Sequence, residues 1–286
     1  MKFIKKYFGL SNREDTEKRG GELAFGATDA GRVRDGNEDF LMVSPERNLY
    51  IAADGMGGHN AGEVASANAT EVVDAYFNLK LLSGITADDG KIRDAMTGAL
   101  IEAHEKILEM AKTNPEYSGM GCTMVVALIN GDSLYLCHVG DARAYVCDHA
   151  GINLLTTDHS NVMMLVKAGR MTMEEARTSP IKNELSQAIG APLKIVPEYV
   201  HYTLKDGDKV LLCSDGLWDM LTDDEIYQIL KQEKTSRAIC QNMIERANDA
   251  GGNDNITVVV VVHQGEENIP EATDFEGKNK QKEVEK

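Results

Sequence analysis

Four short acidic segments stand far apart in the chain: Asn37-Glu38-Asp39, ADGMGGH from Ala53, Ser214-Asp215-Gly216 and GGNDN from Gly251. Each lies beside an apolar run. Asp54 closes LYIAAD, Asp215 closes KVLLCSD and Asp254 precedes NITVVVVV, and short runs so rich in branched residues read as buried strands. A carboxylate at the edge of a buried strand is costly unless something pairs it. A hard divalent cation shared by acids distant in sequence supplies that pairing, in a site that closes only on folding. Taken singly, each motif also reads as turn chemistry, because Asp-Gly and Asn-Asp pairs are common where strands reverse. The turn reading leaves Arg34 unexplained, which stands beside the first acids in GRVRDGNED, ready to meet an anion.

The elements that must position these acids follow from hydrophobic period. Strands are expected over 22–30, 39–43 and 49–53, with Gly- and Asn-containing turns between them. The period then changes to helical over 63–77, where Asn60 and Glu63 resemble a capping box, and over 88–112, with Thr86 as a candidate N-cap. His104 falls in that second helix as a lone helical histidine and receives no role. CTMVVALINGDSLYLCHVGDARAYV reads as hairpin-rich sheet, with Asn130-Gly131 as the strongest hairpin signal and Gly140-Asp141 as the next turn. From 157 to 197 a mixed helical and irregular insert interrupts the strands, with Thr172 and Glu175 as a capping box. Strands resume over 198–204 and 209–213. Helices follow over 223–230, capped by Thr222 and Glu225, and over 236–248, before a last strand over 256–262. Two internal helices and a terminal helical pair among mostly antiparallel strands imply an α+β fold, a sheet-on-sheet core with helices on its outer faces.

Composition bounds the rest. The 286 residues suffice for one large domain, and 46 acids against 30 bases give a net charge of −16, which argues against nucleic acid or an anionic membrane as the main partner. The five cysteines form no C-x-x-C pair, and four sit in apolar strand-like runs, so buried thiols in a reducing cytoplasm are expected rather than disulfides or zinc. No run approaches the roughly 18 apolar residues that span a bilayer. Residues 1–20 form a basic amphipathic extension, MKFIKKYFGL at its head; it lacks a signal-peptide core and could touch a membrane or partner, although a docked helix or frayed terminus is the plainer reading. The motif-bearing domain spans 21–264, and 265–286 read as a disordered charged tail.

In order and content the motifs resemble the metal-dependent protein phosphatases of the type 2C family, particularly its compact bacterial members. The resemblance runs from TDAGRVRDGNED through ADGMGGHNAGEVAS, GCTMVVALI, HVGDARAYV, TTDHSNVMMLVKAGRMTMEEA and LLCSDGLWDMLTDDEI to GGNDNITVVVV. It implies an αββα sandwich of two antiparallel sheets flanked by helix pairs, with a flap insert over about 159–197. It further implies two Mn²⁺ or Mg²⁺ ions, bridged by Asp54, joined by the Gly55 carbonyl and held by Asp215 and Asp254, with Asp141 on a third, weaker ion. Asp39 approaches the ions through water, and Glu38 and Asn255 support from outside, since consecutive strand side chains face opposite ways. Arg34 holds the substrate phosphate, so that Arg34, Asp54 and Asp215 carry the catalysis of an in-line attack by metal-activated water on phosphoserine or phosphothreonine. Phosphorylated proteins, substrates of a Ser/Thr kinase, are the implied partners of a monomer.

One departure matters. Animal members carry a histidine two residues after the bridging aspartate, where this chain has Met56, and His59 stands three positions further on a Gly-rich turn as structural residue or proton donor. Methionine cannot donate a proton, so metal-bound water is the expected acid. Trp218 is expected to pack under the site. Three alternatives remain: a non-catalytic regulatory module of the same fold, which should lack ligand residues; an acidic cation buffer, which should carry contiguous calcium loops; and a small-molecule phosphomonoesterase, which only a substrate panel excludes.

Overall fold

The computed structural model describes residues 23–58, 61–78, 84, 88–233 and 235–265. Ten described strands form two antiparallel sheets: β1 (Ala24–Asp29), β2 (Phe40–Ser44), β3 (Leu49–Met56), β4 (Gly121–Asn130), β5 (Ser133–Val139), β6 (Arg143–Cys147), β7 (Ile152–Leu154), β8 (Glu198–Thr203), β9 (Lys209–Cys213) and β10 (Ile256–Val262). One sheet has the order β1-β10-β9-β6-β7 and the other β2-β3-β4-β5-β8.

Side-chain alternation explains why both faces of these strands are apolar. Along β4, Met124, Val126 and Leu128 enter one apolar cluster while Val125, Ala127 and Ile129 enter another; along β10, Val259 and Val261 share that second cluster and Val258 and Val260 enter a third. The shared cluster is the core between the sheets. Outside it lie helices on each face. On the β4 side these are α1 (Ala61–Tyr76) and α2 (Asp89–Thr113), which bury Ala65, Ala69, Val73, Met96 and Leu100. On the β10 side the short α5 (Asp215–Trp218), α6 (Asp223–Gln232) and α7 (Ser236–Asp249) contribute Leu217, Ile226, Leu230, Ile239 and Met243. The architecture is therefore the αββα sandwich expected from the motifs.

Two short helices, α3 (Asn161–Lys167) and α4 (Met173–Thr178), occupy the insert. Both expected capping boxes there and in α6 form, at Thr172–Glu175 and Thr222–Glu225. Two local expectations are corrected. The α2 N-cap is Asp88, whose carboxylate accepts from Lys91 N, rather than Thr86, which lies outside the described residues. The β4–β5 hairpin centres on Gly131-Asp132, because Asn130 already pairs with Ser133; Gly131 supplies the positive φ of 56°. β7 and the single-turn α5 escape a periodicity reading because each is under two repeats long. The proposed 1–20 extension, Asn60, His59 and almost all of the tail also lie outside the described residues. All five cysteines are free and buried. Among the described residues no helix is long and apolar enough to cross a membrane.

Candidate metal centre

Strand register lines the acids along one edge of the molecule. Phe40 pairs with Ala53, which places Asp39 beside Asp54; Asp54 pairs with Thr123 on β4, and Thr123 abuts Gly140 in the turn that carries Asp141. The row therefore crosses β2, β3, β4 and the end of β5 at the ordinary strand spacing of about 4.8 Å. The other sheet supplies its acids from the facing ends. Asp215 opens α5 directly after β9, Asp254 lies two residues before β10, and Ser214 N donates to Thr257 O across that pair at 3.1 Å.

Close backbone approach makes two glycines obligatory. A side chain at Gly55 would sit 2.3 Å from Gly62 O and 2.4 Å from Glu38 O, and one at Gly216 would sit 2.0 Å from Asn255 O. Asn255 braces the loop that bears Arg34: its Nδ2 donates to Ala30 O at 3.0 Å and Gly36 O at 2.8 Å, and its Oδ1 accepts from Glu38 N at 2.8 Å. Ser214 and Asn37 hold Asp39 in place. Ser214 Oγ donates to Asp39 Oδ2 at 2.7 Å, and Asn37 Oδ1 accepts from Asp39 N at 3.0 Å. Sequence reasoning missed both, although each stands one or two positions from a named acid.

Crowding of like charge dominates the electrostatics. Burial first, then repulsion from Asp215 and Asp254, pushes Asp39 up to about 7 in spite of the Ser214 hydrogen bond. Burial and then Asp254 raise Asp215 to about 6. Burial with the charges of Asp39, Asp215 and Asp141 holds Asp54 well above the ordinary carboxylate range, and burial with Asp215 and Asp158 does the same for Asp141. Glu38 is raised mainly by burial. Such raised values oppose folding, with a definite sign. Between about pH 4 and 7 the folded chain holds protons that the unfolded chain has released, so stability falls as pH rises through that window. Thermal melting in chelator should lose on the order of 10 °C between pH 5 and 8. Saturating Mn²⁺ should remove most of that slope; a chelated protein equally stable at both pH values would contradict the crowding.

Cation binding suits these groups. Asp39 Oδ1 and Asp215 Oδ1 are buried without any partner, and the carboxylates repel one another in the absence of positive charge. An all-oxygen donor set favours Mn²⁺ or Mg²⁺ over softer ions. Among the described residues Arg34 is the arginine paired to the acid group: its Nη2 lies 2.7 Å from Asp254 Oδ2, while the side chain is 54% exposed and so retains open N–H donors. The hydrogen bond to Asp254 raises the guanidinium above its usual value, against the opposing effect of burial.

Trp218 packs beneath Asp141. Its Nε1 donates to Asp141 O at 3.2 Å, and Arg143 lies 3.7 Å over the ring while gripping Asp158 with two hydrogen bonds. The insert is also tied to α5 through Lys182, whose Nζ lies 2.7 Å from Asp219 Oδ2. His104 accepts from Gly190 N at Nδ1, a structural contact at the end of the insert. His138, His159 and Glu198 bring ligating atoms within 4.8 Å of one another. They do not form a second metal site. Gly140 N donates to His159 Nδ1 at 3.2 Å, so the neutral ring carries its proton on Nε2, the atom facing Glu198, and has no lone pair there for a cation. Burial, and then His138, lowers His159 to about 4 and keeps it neutral.

Comparison with known proteins places this geometry. Residues 32–259 match the family described as protein phosphatase 2C. The chain is 36% identical over 238 residues to the serine/threonine phosphatase stp of Listeria monocytogenes, spanning 82% of this chain and 93% of that protein. The S. agalactiae serine/threonine phosphatase structure superposes with a TM-score of 0.75 at 37% identity, covering 84% of this chain and 99% of the other. A catalytic domain of the serine/threonine phosphatase PstP in complex with two manganese ions matches with a TM-score of 0.69 at 33% identity, covering 84% and 98%. With a family match over most of its length and relatives covered almost end to end, the chain belongs to the metal-dependent protein phosphatase 2C family and is a protein serine/threonine phosphatase.

Proposed function

We propose that Asp54, the Gly55 carbonyl, Asp215 and Asp254 hold two Mn²⁺ or Mg²⁺ ions, with Asp39 approaching through water and Asp141 serving a third, weaker ion. The observation that carries this is the buried, mutually repelling set of carboxylates with two oxygens that no protein group satisfies. Bound there, the ions supply an activated water for in-line displacement at phosphorus. The chain does the rest. Arg34, held at Asp254 and half-exposed, turns its remaining N–H donors to the substrate phosphate and sets its orientation. Asn255 and Glu38 keep the Arg34 loop and the Gly55 strand in register, and Ser214 fixes Asp39. Met56 offers no proton and His59 lies outside the described residues, so water held at the site would protonate the departing seryl or threonyl oxygen. The substrates are phosphoproteins made by a Ser/Thr kinase in the cytoplasm, and the enzyme acts as a monomer.

Turnover of p-nitrophenyl phosphate and of a phosphothreonine peptide with added Mn²⁺, abolished by EDTA, is the expected result; turnover indifferent to EDTA would sink the assignment. Arg34 has its own test. Arg34→Lys keeps a charge but loses the forked geometry, and should lower kcat/KM on the peptide about 10-fold, with Arg34→Ala near 100-fold. Full activity in both would make Arg34 a surface ion pair only.

A further inference from the structure

A second concavity lies away from the acids, where α2 meets the segment leading into β8. It is a half-open hollow of about 700 Å³ whose lining includes Arg93, Asp94, Thr97, Lys194, Val196 and Tyr199. Arg93 and Lys194 have no hydrogen-bond or ion-pair partner among the described residues. In a chain with 46 acids against 30 bases, two cations beside a single lining acid, Asp94, are contrary to the overall bias. Arg93 lies 6.0 Å over the Tyr199 ring, and the Tyr199 hydroxyl is buried from water without a partner. Apolar surface adjoins these donors: Val196 is 65% exposed and Leu193 69%. β8 also pairs on one side only, with β5, so among the described residues its outer edge is open to an added strand.

Free cations ask for carboxylates, exposed Val196 and Leu193 ask for an apolar side chain, and an open strand edge takes extended backbone. Single exposed apolar residues are ordinary; the conjunction points to a peptide. We propose that this groove binds an acidic, apolar-flanked segment of the phosphoprotein substrate, remote in sequence from the phosphorylated residue. The inference rests on the phosphatase reading and adds the class of substrate. Reach is sufficient. Lys194 stands four residues from Gly190, a side chain on which would lie 3.2 Å from Gly121 Cα, and Gly121 pairs with Met56, two residues beyond Asp54. The path is at most about 30 Å, which roughly nine extended residues span.

The test uses the full chain, Mn²⁺ and three substrates: p-nitrophenyl phosphate, a phosphothreonine peptide with Glu and Leu residues eight to ten positions from the phosphate, and the same peptide with Gln for Glu. The unaltered protein should show a KM about 10-fold lower for the acidic peptide than for its neutral partner. The double variant Arg93→Glu, Lys194→Glu should erase that preference, leaving kcat and p-nitrophenyl phosphate turnover unchanged. Equal KM values for the two peptides in the unaltered protein overturn the proposal. A variant that lowers all three activities together also overturns it, since the groove would then serve the fold. So does a variant that alters sedimentation but not KM, because the occupant would then be a second copy of the chain. Absence of p-nitrophenyl phosphate turnover in the unaltered protein would instead strike the phosphatase reading itself.

Discussion

Asp215→Asn is expected to lower kcat/KM for a phosphothreonine peptide on the order of 1000-fold while making the metal-free protein more stable. The two effects share one cause. Asp215 sits among Asp54, Asp141 and Asp254, its carboxyl is raised to about 6 by burial and by Asp254, and its Oδ1 has no partner. Replacing the carboxylate with an amide of the same shape removes one of the like charges, so repulsion in the empty acid group declines. The same change removes an anionic donor that the proposed site requires, and catalysis that depends on a charged metal centre falls with it. Melting in chelator and in Mn²⁺ separates the two effects: the variant should melt several degrees higher than the parent in chelator at pH 8, and should gain far less from Mn²⁺. A variant that loses activity because it is less stable in chelator would show that Asp215 is a structural residue.

Gly216→Ala is expected to destroy activity by a different route. One methyl group added there would lie 2.0 Å from Asn255 O, and both groups are backbone-bound, one at the start of α5 and one at the mouth of β10. Neither can rotate away, so the strands must part by more than an ångström. That shift would displace Asp215 from Asp254 and loosen the Asn255 hydrogen bonds to Ala30, Gly36 and Glu38. A fall in melting temperature of about 10 °C and loss of Mn²⁺-dependent turnover are expected. Gly36→Ala provides the control, because a side chain at Gly36 meets nothing within 4 Å, and it should melt close to the parent.

The strands were legible because they are buried on both faces. KVLLC and ITVVVVV are apolar but for Lys209 and Thr257, and their bounds, 209–213 and 256–262, coincide with β9 and β10. Helices marked by paired signals were equally plain, as at Thr222 and Glu225, where the capping box forms. Asn130-Gly131 located the hairpin, and pairing along the whole β4–β5 ladder set its loop residues at Gly131 and Asp132. Arg143 went unremarked because its value lies in neighbours 15 and 75 positions away, Asp158 and Trp218, which no local pattern connects.

By itself the sequence determined which acids could meet, because strand-end carboxylates with adjoining glycines are intelligible one motif at a time, and it determined the family through their order. Only the tertiary structure decided their relative placement. Antiparallel register set Asp39 beside Asp54 and Ser214 on Asp39, and burial raised Asp39 and Asp215 far above ordinary carboxylates. It also decided that His159 and His104 are braces, since the backbone N–H groups of Gly140 and Gly190 claim them. These are properties of distance and of a low-dielectric interior, and both come into being only when the two sheets close on each other.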